Sequence, residues 1–464
     1  MDNKETNIKV PLISKIAYGM GDVGCNFSWM FVGNFLMIFY TDVFGISMGA
    51  VAGLMLFSRF WDAINDPIVG ALTDRTNTRW GRYRPWLLIA APLTAIMLVM
   101  TFWAHPNWSD TAKIIYMSTT YCILVLGYTC VNIPYGTLCG VMTQDIEERA
   151  KINTARSVSA MIAISVINII TIPLMGQLGR GNAKRGYLLI AIIYGGIFAL
   201  CHIFCFAKTK EVVTIPKKEK IAIKLQLKTI TQNKPYLLAI IGQFLFGFTL
   251  YGRNAGTLYY FKYVEGNERF FSTYSMAIMI PAIIGAVAFQ ILFKWTHNKG
   301  RAASILAFGT GVSMLSLYIF SPVTSPTAFY IVSGVTQFLF AGFNTAIYAI
   351  IPDCVEYGEW KTGIRNDGFQ YAIISLANKV GMAIGTALLA AALSGNGYVA
   401  NIEQNSKVLG VMKHSFTTIP GVVWIITGVV LLFYNLNKKS YNKIVDEIKQ
   451  RKIKDMGKGE EKHV

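Results

Sequence analysis

Two acidic residues in a strongly apolar part of the chain are the residues best placed to do chemistry. Asp62 and Asp66 lie four residues apart in the segment SRFWDAINDP. In a helix both carboxylates would share one face, with Arg59 one turn earlier. Two carboxylates on one face repel each other unless a cation or a proton lies between them, and oxygen ligands suit hard cations. The spacing therefore predicts a site for Na⁺ or H⁺, and the alternative is a structural cluster in which Asp62 pairs with Arg59.

A second polar pair lies close to the start of the chain. Asp22 and Asn26 are four residues apart in the segment YGMGDVGCN, whose glycines permit close contact between helices. Asn26 is expected to face a polar cavity. Asp22 lies nearer the predicted cytoplasmic end of its helix, and for this residue a gate pairing between helices and a contact with ligand are equally open.

The segment YTCVNIPYG at 128–136 has the chemistry that binds sugars. Tyr128 and Asn132 are again four residues apart. An aromatic ring stacks on the apolar C–H face of a sugar, and an amide bonds its hydroxyls. Pro134 frees a backbone carbonyl and favours a bend, which is tolerated where a helix lines a cavity. Ordinary helix packing is the alternative interpretation.

Two basic residues lie where charge is costly. Arg156 is at the start of a predicted helix, and Lys379 lies well inside another. A charge within a membrane-spanning helix costs at least about 2.5–3.5 kcal/mol on insertion scales, so each one calls for a partner or a function. Lys379 is too deep to reach the interface easily. We expect it to balance the acidic pair of the second helix or to hold oxygen atoms of a substrate.

The elements that must position these residues are membrane-spanning helices. Of the 464 residues, 53% are hydrophobic and 15% are charged, against about 25% charged in an average soluble domain. Apolar stretches long enough to cross a bilayer, about 20 residues each, recur along the whole chain. We predict an all-α membrane protein of about twelve transmembrane helices, near 13–40, 46–73, 86–104, 114–140, 153–176, 187–207, 236–262, 272–293, 302–321, 326–350, 369–394 and 415–436.

The distribution of basic residues predicts the orientation and the domain bounds. A lysine-rich stretch at 208–235 divides the predicted helices six and six, and the tail at 437–464 is also rich in lysine. Basic loops face the cytoplasm, so both termini are expected there, in a cell or inner membrane. The predicted bundles are 1–207 and 236–436, with a linker at 208–235 and a short, partly helical tail. One loop does not follow the rule that basic loops face the cytoplasm: the loop after the fifth helix is predicted on the other side, yet it carries Arg180, Lys184 and Arg185.

Several classes of function are excluded by what the sequence lacks. It has no GxxxxGK[ST] phosphate loop and no catalytic constellation, so we predict neither an ATPase nor any other enzyme. The net charge of +18 is placed between apolar spans and not on a basic surface with stacking aromatics, which argues against a nucleic-acid partner. The seven cysteines have no CxxC pair, the five histidines have no ligand spacing, and no cofactor is expected.

Five motifs in order along the chain resemble the glycoside–pentoside–hexuronide:cation symporters of the major-facilitator superfamily. No one of them is specific alone, but their combination is, and it covers nearly the whole chain. The motifs are KIAYGMGDVG at 15–24, FWDAINDPIVG at 60–70, TRWGRYRPW at 78–86, NIPYGTL at 132–138 and PDCVEYGEW at 352–360. The resemblance implies two six-helix bundles with a solute site between them near mid-membrane and alternating access by rocking of the bundles.

The resemblance also implies roles for particular residues. Cation binding in the family is carried by acids matching Asp62 and Asp66, with a threonine matching Thr129. The metal site implied is therefore a sodium site at these acids, unless the coupling ion is a proton. The candidate residues for substrate binding are Asn26, Tyr128, Asn132, Arg156, Tyr348 and Lys379.

Two departures from the melibiose branch of the family point to the substrate. Asn26 and Asn132 stand where that branch has aspartates. The lost carboxylates weaken the case for Na⁺ and for a galactoside, and they favour a neutral or anionic ligand beside Arg156 and Lys379. The substrate expected is a pentoside such as a β-xyloside or xylo-oligosaccharide, with a glucuronide next.

Charged residues at the predicted cytoplasmic ends of the helices are candidates for a gate. In the family such charges pair across the bundle interface, and the alternative is a solvated run that only sets topology. The gate or interface candidates are Asp22, Arg59, Asp74, Arg79, Arg82, Asp353, Glu356 and Arg365, with Glu359 in the same acidic group.

Other functions with the same fold remain open. A lysolipid carrier would use the deep lysine and the acids for a zwitterionic headgroup. A uniporter would lack ion coupling, and a sugar sensor would signal through the tail. The partners expected are a small sugar or glycoside, a coupling cation and the lipid bilayer, with the protein working as a monomer.

Overall fold

The protein is described here from a computed structural model, which covers residues 9–143, 145–212 and 223–460. These residues are almost entirely helical. The α-helices are α1 (Leu12–Ile38), α2 (Met48–Arg75), α3 (Arg84–Thr101), α4 (Asp110–Met142), α5 (Ile146–Gly179), α6 (Ala183–Lys208), α7 (Ile223–Thr231), α8 (Lys234–Tyr259), α9 (Phe270–Thr296), α10 (Lys299–Ser316), α11 (Pro326–Thr362), α12 (Asp367–Gly395), α13 (Ser406–Phe416), α14 (Thr418–Leu432) and α15 (Lys438–Glu460).

Side-chain caps explain where several helices begin. Ser47, Ser109 and Asn182 precede α2, α4 and α6, and each accepts a hydrogen bond from a backbone N–H three residues later. Asp145 does the same before α5, where its carboxylate accepts from the N–H groups of Glu147 and Glu148. Such caps bond N–H groups that have no partner within the helix. An N–H group without a hydrogen bond is costly in lipid.

Ten of the described helical segments are long and apolar enough to cross a membrane. They include α13 and α14 as one span, Ser406–Leu432. With α2 and α10, which are helices of 28 and 18 residues outside that set, the described part of the chain has the predicted twelve. α2 carries Asp62 and Asp66, the charged residues that we expected to do chemistry.

The exposed surface of α9 is suited to an apolar solvent. Its large exposed side chains recur at helical spacing on one face, so they form a continuous apolar stripe. They are Met276, Ile280, Ile283, Ile284, Val287 and Ile291, each more than half exposed. A stripe of this kind is stable against lipid tails and unstable against water, which agrees with the predicted membrane class.

The chain divides by contact density into two compact units. The first comprises Met1–Lys217, Thr257–Ser275 and Ala387–Leu409, and the second comprises Lys218–Gly256, Met276–Thr386 and Gly410–Val464. The first unit therefore contains α1 to α6 and also the segments around the end of α8 and the end of α12. The bundle bounds 1–207 and 236–436 stay a prediction.

The predicted linker and tail both contain helices. The short α7 lies within 208–235, next to residues 213–222, which are outside the described part. The tail forms α15, which packs on α11: the Trp360 indole donates to Glu447 at 2.6 Å, and Ile444 and Ile448 are buried. The tail helix thus packs within the second unit.

Matching turns end α1 and α8, the first helices of the two predicted halves. Each helix finishes in a π-helical turn, Phe39–Val43 after α1 and Tyr260–Val264 after α8. A glycine with positive φ follows each turn, Gly45 at 77° and Gly266 at 71°. The sequence similarity between the halves is too weak to establish a repeat, but this shared backbone geometry supports one.

Candidate substrate and cation site

Glycines let α1 approach its neighbours closely at the level of the site. A Cβ added to Gly21 would lie 2.4 Å from the ring of Tyr135 on α4, and one added to Gly19 would lie 2.6 Å from Ser159 Oγ on α5. Neither position has space for a side chain. Small residues at such contacts are how membrane helices pack tightly, and here they bring the polar residues of α1, α4 and α5 together.

Asp22, Asn26 and Arg156 form one hydrogen-bonded group. Arg156 Nε donates to Asp22 Oδ1 at 2.9 Å, and the Asn26 amide donates to Asp22 Oδ2 at 3.2 Å and to the Asp22 carbonyl at 2.8 Å. The structure thus joins a predicted gate residue, Asp22, to two predicted substrate residues. The Asp22 side chain is 11% exposed and that of Arg156 is 37% exposed, so the arginine end of the pair is open to a ligand.

Two stacked tyrosines pack against this group. The rings of Tyr18 and Tyr135 lie 4.6 Å apart, and the Tyr135 hydroxyl donates to the Tyr18 carbonyl at 2.6 Å. The guanidinium of Arg156 lies 5.3 Å from the centre of the Tyr135 ring. A cation is attracted to the face of an aromatic ring, so the contact with Tyr135 helps to position Arg156 in the site.

Trp29 and Tyr128 form an aromatic platform beside the polar group. Their rings are stacked, with centroids 4.7 Å apart and an angle of 24° between planes. Tyr128 was predicted to contact sugar, whereas Trp29 was missed. Trp29 lies three residues after Asn26 and so on the same helix face, and this spacing could have indicated that Trp29 belongs to the site.

Asn132 is backed by a buried pair of side chains that the sequence did not assign. Cys25 Sγ lies 3.9 Å from Asn132 Oδ1 and 3.4 Å from His202 Nε2. His202 is fully buried, and its Nδ1 lies 2.7 Å from the Phe198 carbonyl, which can only accept. Nδ1 therefore carries the proton, and Nε2 is the acceptor for the Cys25 thiol.

The predicted cation-binding acids, Asp62 and Asp66, both contact the hydroxyl of Thr129. Thr129 Oγ1 lies 3.4 Å from Asp62 Oδ1 and 3.4 Å from Asp66 Oδ1. A hydroxyl has one proton, so it can donate to only one carboxylate at a time. Asp62 and Thr129 are buried at 7% and 4% exposure. Carboxylate and hydroxyl oxygens brought together in this way are the ligands that a hard cation takes, and two neighbouring carboxylates can also share a proton.

Oxygen donors of this kind fit Na⁺ or a proton better than a transition metal. Within the described residues no group of three or more His, Cys, Asp or Glu side chains is close enough to hold a metal. Asp62, Asp66 and Thr129 would hold the ion. The side chain of Arg59, which was predicted as an alternative partner of Asp62, lies outside the described part of the structure.

The remaining substrate candidates belong to the second unit. Tyr348 on α11 is 54% exposed, and Lys379 on α12 is half-buried. Their predicted contact with substrate, and the predicted balance of Lys379 against the acids of α2, stay predictions.

The gate candidates of the first unit lie around an anchored loop. Asp74 accepts a hydrogen bond from the Tyr83 hydroxyl at 3.1 Å, and burial together with the charge of Asp74 raises the pKa of Tyr83, which stays a donor. Arg79 lies 4.7 Å over the ring of Trp80 and is exposed. Arg82 is the first of three residues whose backbone is held by one carboxylate.

That carboxylate belongs to Glu211, which the sequence analysis missed. It accepts from three successive backbone N–H groups, those of Arg82 at 2.8 Å, Tyr83 at 2.7 Å and Arg84 at 2.9 Å. These groups open α3, where a negative charge is favoured by the helix dipole and by N–H groups without helical partners. The loop between α2 and α3 is thereby fixed to the segment after α6.

The gate candidates of the second unit belong to two separate ion-paired groups. Lys299 donates to Asp353 at 2.7 Å, while Arg365 contacts Glu359 at 2.9 Å and Asp367 at 3.1 Å. Of the predicted acidic group, Glu359 thus contacts Arg365 and Asp353 contacts Lys299, and their role as a gate stays a prediction. Glu356 has one buried carboxylate oxygen, Oε2, without a hydrogen bond in the described part of the chain.

A further polar cluster, which we call the Asp42 cluster, lies at the opposite end of α1 and was not predicted. The Asp42 side chain is 2% exposed and is bound by Lys262, Tyr263 and Tyr398. The Asn401 amide donates to the Asp42 carbonyl at 2.6 Å. Burial and the nearby Tyr259 and Asp42 raise the pKa of Tyr398, so its hydroxyl remains a donor. All of these residues belong to the first unit.

The helix pattern and the buried polar group in the first unit define a multi-helix membrane transporter. A family model described as MFS/sugar transport protein matches residues 17–438, and the chain belongs to that family. It is a transporter and not an enzyme, as predicted, and the predicted major-facilitator fold is confirmed.

Individual relatives agree with this assignment. The chain is 31% identical to the isoprimeverose transporter of Lactiplantibacillus pentosus over 92% of this chain and 90% of that protein. It is 30% identical to a glucuronide carrier protein homolog of Escherichia coli strain K12 over 94% and 95%. Among solved structures, that of a D-xylose–proton symporter matches with a TM-score of 0.63 at 13% identity, covering 92% of this chain and 98% of the other.

Proposed function

We propose that this chain is a cation-coupled symporter of a small glycoside. The observation that carries the proposal is the convergence of Asp62, Asp66 and Thr129, in which two carboxylates share one hydroxyl at 3.4 Å each. A bound Na⁺ or H⁺ relieves their repulsion, so binding of the ion changes the charge of α2 next to α4, the helix that carries Tyr128 and Asn132. Coupling follows when the site reorients only with both ligands bound or both absent.

The proposed sugar site is the group formed by Asn26, Tyr128, Asn132 and Arg156 with the Trp29 platform. The stacked rings supply a flat apolar surface, and the amides and guanidinium supply donors and acceptors for hydroxyls. We propose a pentoside such as a β-xyloside or xylo-oligosaccharide as the substrate and a glucuronide as the second candidate. The isoprimeverose transporter and the glucuronide carrier homolog among its relatives support these two classes.

The setting proposed is a cell or inner membrane with both termini in the cytoplasm, and a monomer as the working unit. An ion gradient would supply the energy. One positive charge crossing about 100 mV supplies about 2.3 kcal/mol. At about 1.4 kcal/mol per decade this supports roughly fifty-fold accumulation, so one coupled ion suffices.

The test is sugar-driven ion movement in proteoliposomes. Xylosides and glucuronides are added with and without Na⁺ at controlled pH, and the pH of the medium and sugar uptake are followed together. Alkalinisation or Na⁺ dependence with one sugar class, abolished by Asp66→Asn, supports symport of that class. Sugar flux without any ion response, unchanged by Asp66→Asn, would mean a uniporter.

One cavity bears on the rival lipid carrier. A cavity of about 500 Å³ lies along α3 and α4, and its wall is apolar, with Trp86, Ile89, Leu93 and Met97 among its residues. An acyl chain fits such a wall, but the wall has no charged side chain for a zwitterionic headgroup. Competition separates the two functions, because excess lysolipid should leave the uptake of labelled sugar by a sugar symporter unchanged.

A further inference from the structure

A second cavity, distinct from the proposed sugar site, lies at the far end of α1 from the N-terminus. It encloses about 240 Å³ within the first unit, between the ends of α1, α5 and α6 and the segments after α8 and α12. Its wall includes Asp42, Tyr187, Lys262, Glu268 and Asn401. With the termini in the cytoplasm, as proposed above, this cavity opens toward the outside of the cell.

Polar groups in this cavity have unused hydrogen-bonding capacity. Tyr187 is 5% exposed, yet its hydroxyl makes no hydrogen bond with any residue that the structure describes. The Glu268 carboxylate is likewise without a hydrogen bond to the described residues. Lys262 donates to Asp42 and to Asn401 Oδ1, which uses two of the three N–H groups of its ammonium. These groups border the cavity, and the Glu268 side chain is exposed, so a ligand there can bond them in place of water.

The cavity has the mixed wall that a sugar needs. Ile38, Val43 and Met175 give it an apolar side, and the hydroxyl, carboxylate and ammonium groups give it both donors and acceptors. Sugar hydroxyls donate and accept, while the C–H face is apolar, so one ligand satisfies both sides.

The charge of the cavity distinguishes between the two proposed substrate classes. Among the side chains that line the cavity, Asp42 and Lys262 form an ion pair and offset each other, which leaves the Glu268 carboxylate as the excess charge in contact with a ligand. The basic residues Arg180 and Lys184 flank lining residues, but they are exposed to solvent and are not part of the lining. An anionic sugar such as a glucuronide would be repelled by this charge, whereas a neutral glycoside would not.

We propose that this cavity is an outer docking subsite for a neutral glycoside, occupied before the sugar reaches the site on α1, α4 and α5. The inference rests on the proposed function and narrows it from two substrate classes to one. A sugar here bonds Tyr187, Glu268 and the free N–H of Lys262. Because the sugar uses the third N–H of Lys262, the contact of Lys262 with Asp42 is kept when the subsite is occupied.

The structure supplies a matched pair of variants. Gly176 lines the cavity, and a Cβ added there would meet no atom within 4 Å, so Gly176→Leu fills the cavity without a backbone clash. Gly196 is also in a helix, exposed and free of neighbours within 4 Å of an added Cβ, but it is not part of the cavity wall. Gly196→Leu is therefore the control. Tyr187→Phe removes only the hydroxyl and keeps the ring packed on Phe39, 5.2 Å away.

The experiment measures the half-saturating concentration of a neutral xyloside from each side of the membrane, in right-side-out and inside-out vesicles. Gly176→Leu and Tyr187→Phe should raise the outer value by about threefold to tenfold, the loss expected for one or two hydrogen bonds, and leave the inner value unchanged. Gly196→Leu should change neither. Glu268→Gln should strengthen inhibition by external glucuronide.

The outcomes separate the two proposals. Suppose that the wild-type protein transports xyloside. If Gly176→Leu and Tyr187→Phe then raise the half-saturating concentration equally on both sides, or on neither side, the subsite is overturned and the proposed function is not. Unchanged glucuronide inhibition in Glu268→Gln would overturn its preference for neutral sugars. A wild-type protein that moves neither sugar class would overturn the proposed function and the subsite with it.

Discussion

Arg156 Nε lies 2.9 Å from a carboxylate oxygen of Asp22, across the contact between α5 and α1. The same carboxylate accepts from the Asn26 amide, so one acid orients two of the proposed sugar-binding side chains. Asn26 donates through its nitrogen, which leaves its carbonyl oxygen for a sugar hydroxyl. The pair therefore acts as a positioning device for the site.

Removing the Asp22 carboxylate should weaken sugar binding. Asp22→Asn keeps the shape but loses the charge that holds Arg156, and a hydrogen bond to a charged group contributes about 1.5–3 kcal/mol. We expect sugar affinity to fall by about tenfold or more, measured by sugar binding to purified protein. Asp22→Glu should recover part of it. If Asp22→Asn slows transport and leaves affinity unchanged, Asp22 is a gate residue only.

The Trp29–Tyr128 platform should contribute to affinity through its surface. Aromatic stacking is worth about 0.5–1.5 kcal/mol beyond area burial, so Trp29→Ala should weaken sugar binding by roughly twofold to tenfold, and Trp29→Phe should do so less. Trp103→Ala is the control, since Trp103 contacts another aromatic ring in the same unit, that of His105, with ring centroids 5.0 Å apart. Equal losses in the two alanine variants would show a general packing effect.

Thr129 should matter for the ion more than for the sugar. Thr129→Ala removes the shared oxygen of the acidic pair, and we expect the ion concentration for half-maximal coupling to rise by about tenfold, the effect of one hydrogen-bonding ligand. Sugar affinity at saturating ion should stay unchanged. Thr137→Ala is a matched control, because Thr137 bonds only the Ile133 carbonyl of its own helix, at 2.9 Å. Identical ion dependence in both variants would place the ion elsewhere.

The sequence predicted those parts of the protein that depend on local pattern. The length of the apolar stretches predicted the membrane-spanning helices. The four-residue spacing of Asp62 and Asp66 predicted that both side chains lie on one helix face. Both follow from the geometry of a single helix. The resemblance added Thr129, and the structure brings it to both acids.

The missed features depend on contacts between residues far apart in sequence. Glu211 caps the start of α3 from the end of α6, about 130 residues away, and no local pattern marks it. Asp42 looks like an ordinary acid at a helix end until Lys262 and Tyr398 are brought to it by the fold. Trp29 lies on the face of Asn26, but its stacking on Tyr128 depends on how closely α1 and α4 pack.

The ion pair between Asp42 and Lys262 should couple strongly in a double-mutant cycle. The Asp42 side chain is 2% exposed and that of Lys262 is 27% exposed, so removal of either leaves the other charge poorly solvated. We expect Asp42→Asn and Lys262→Met each to lower the unfolding midpoint in a detergent titration. The double variant should lose less than their sum, by about 0.5–3 kcal/mol, the range for residues in contact. Strict additivity would mean that the pair contributes nothing specific.

The three N–H groups held by Glu211 predict a role for the loop between α2 and α3 in transport rate. Glu211→Ala frees the backbone of Arg82, Tyr83 and Arg84, and we expect slower turnover with sugar affinity nearly unchanged, as we also expect for Arg82→Ala. Lys210→Gln, an exposed neighbour, is the control.

Gly81 offers an independent way to break the same contact. Its φ is 110°, and an added Cβ would lie 2.5 Å from Glu211 Cδ, so Gly81→Ala displaces the carboxylate and strains the turn. Because both substitutions remove one contact, the variant carrying both should turn over no more slowly than the slower single variant. Counterflow rates and equilibrium binding together test this. A loss of sugar affinity equal to the loss of rate would assign the loop to the binding site, and additive rate losses would show that Gly81 acts independently of Glu211.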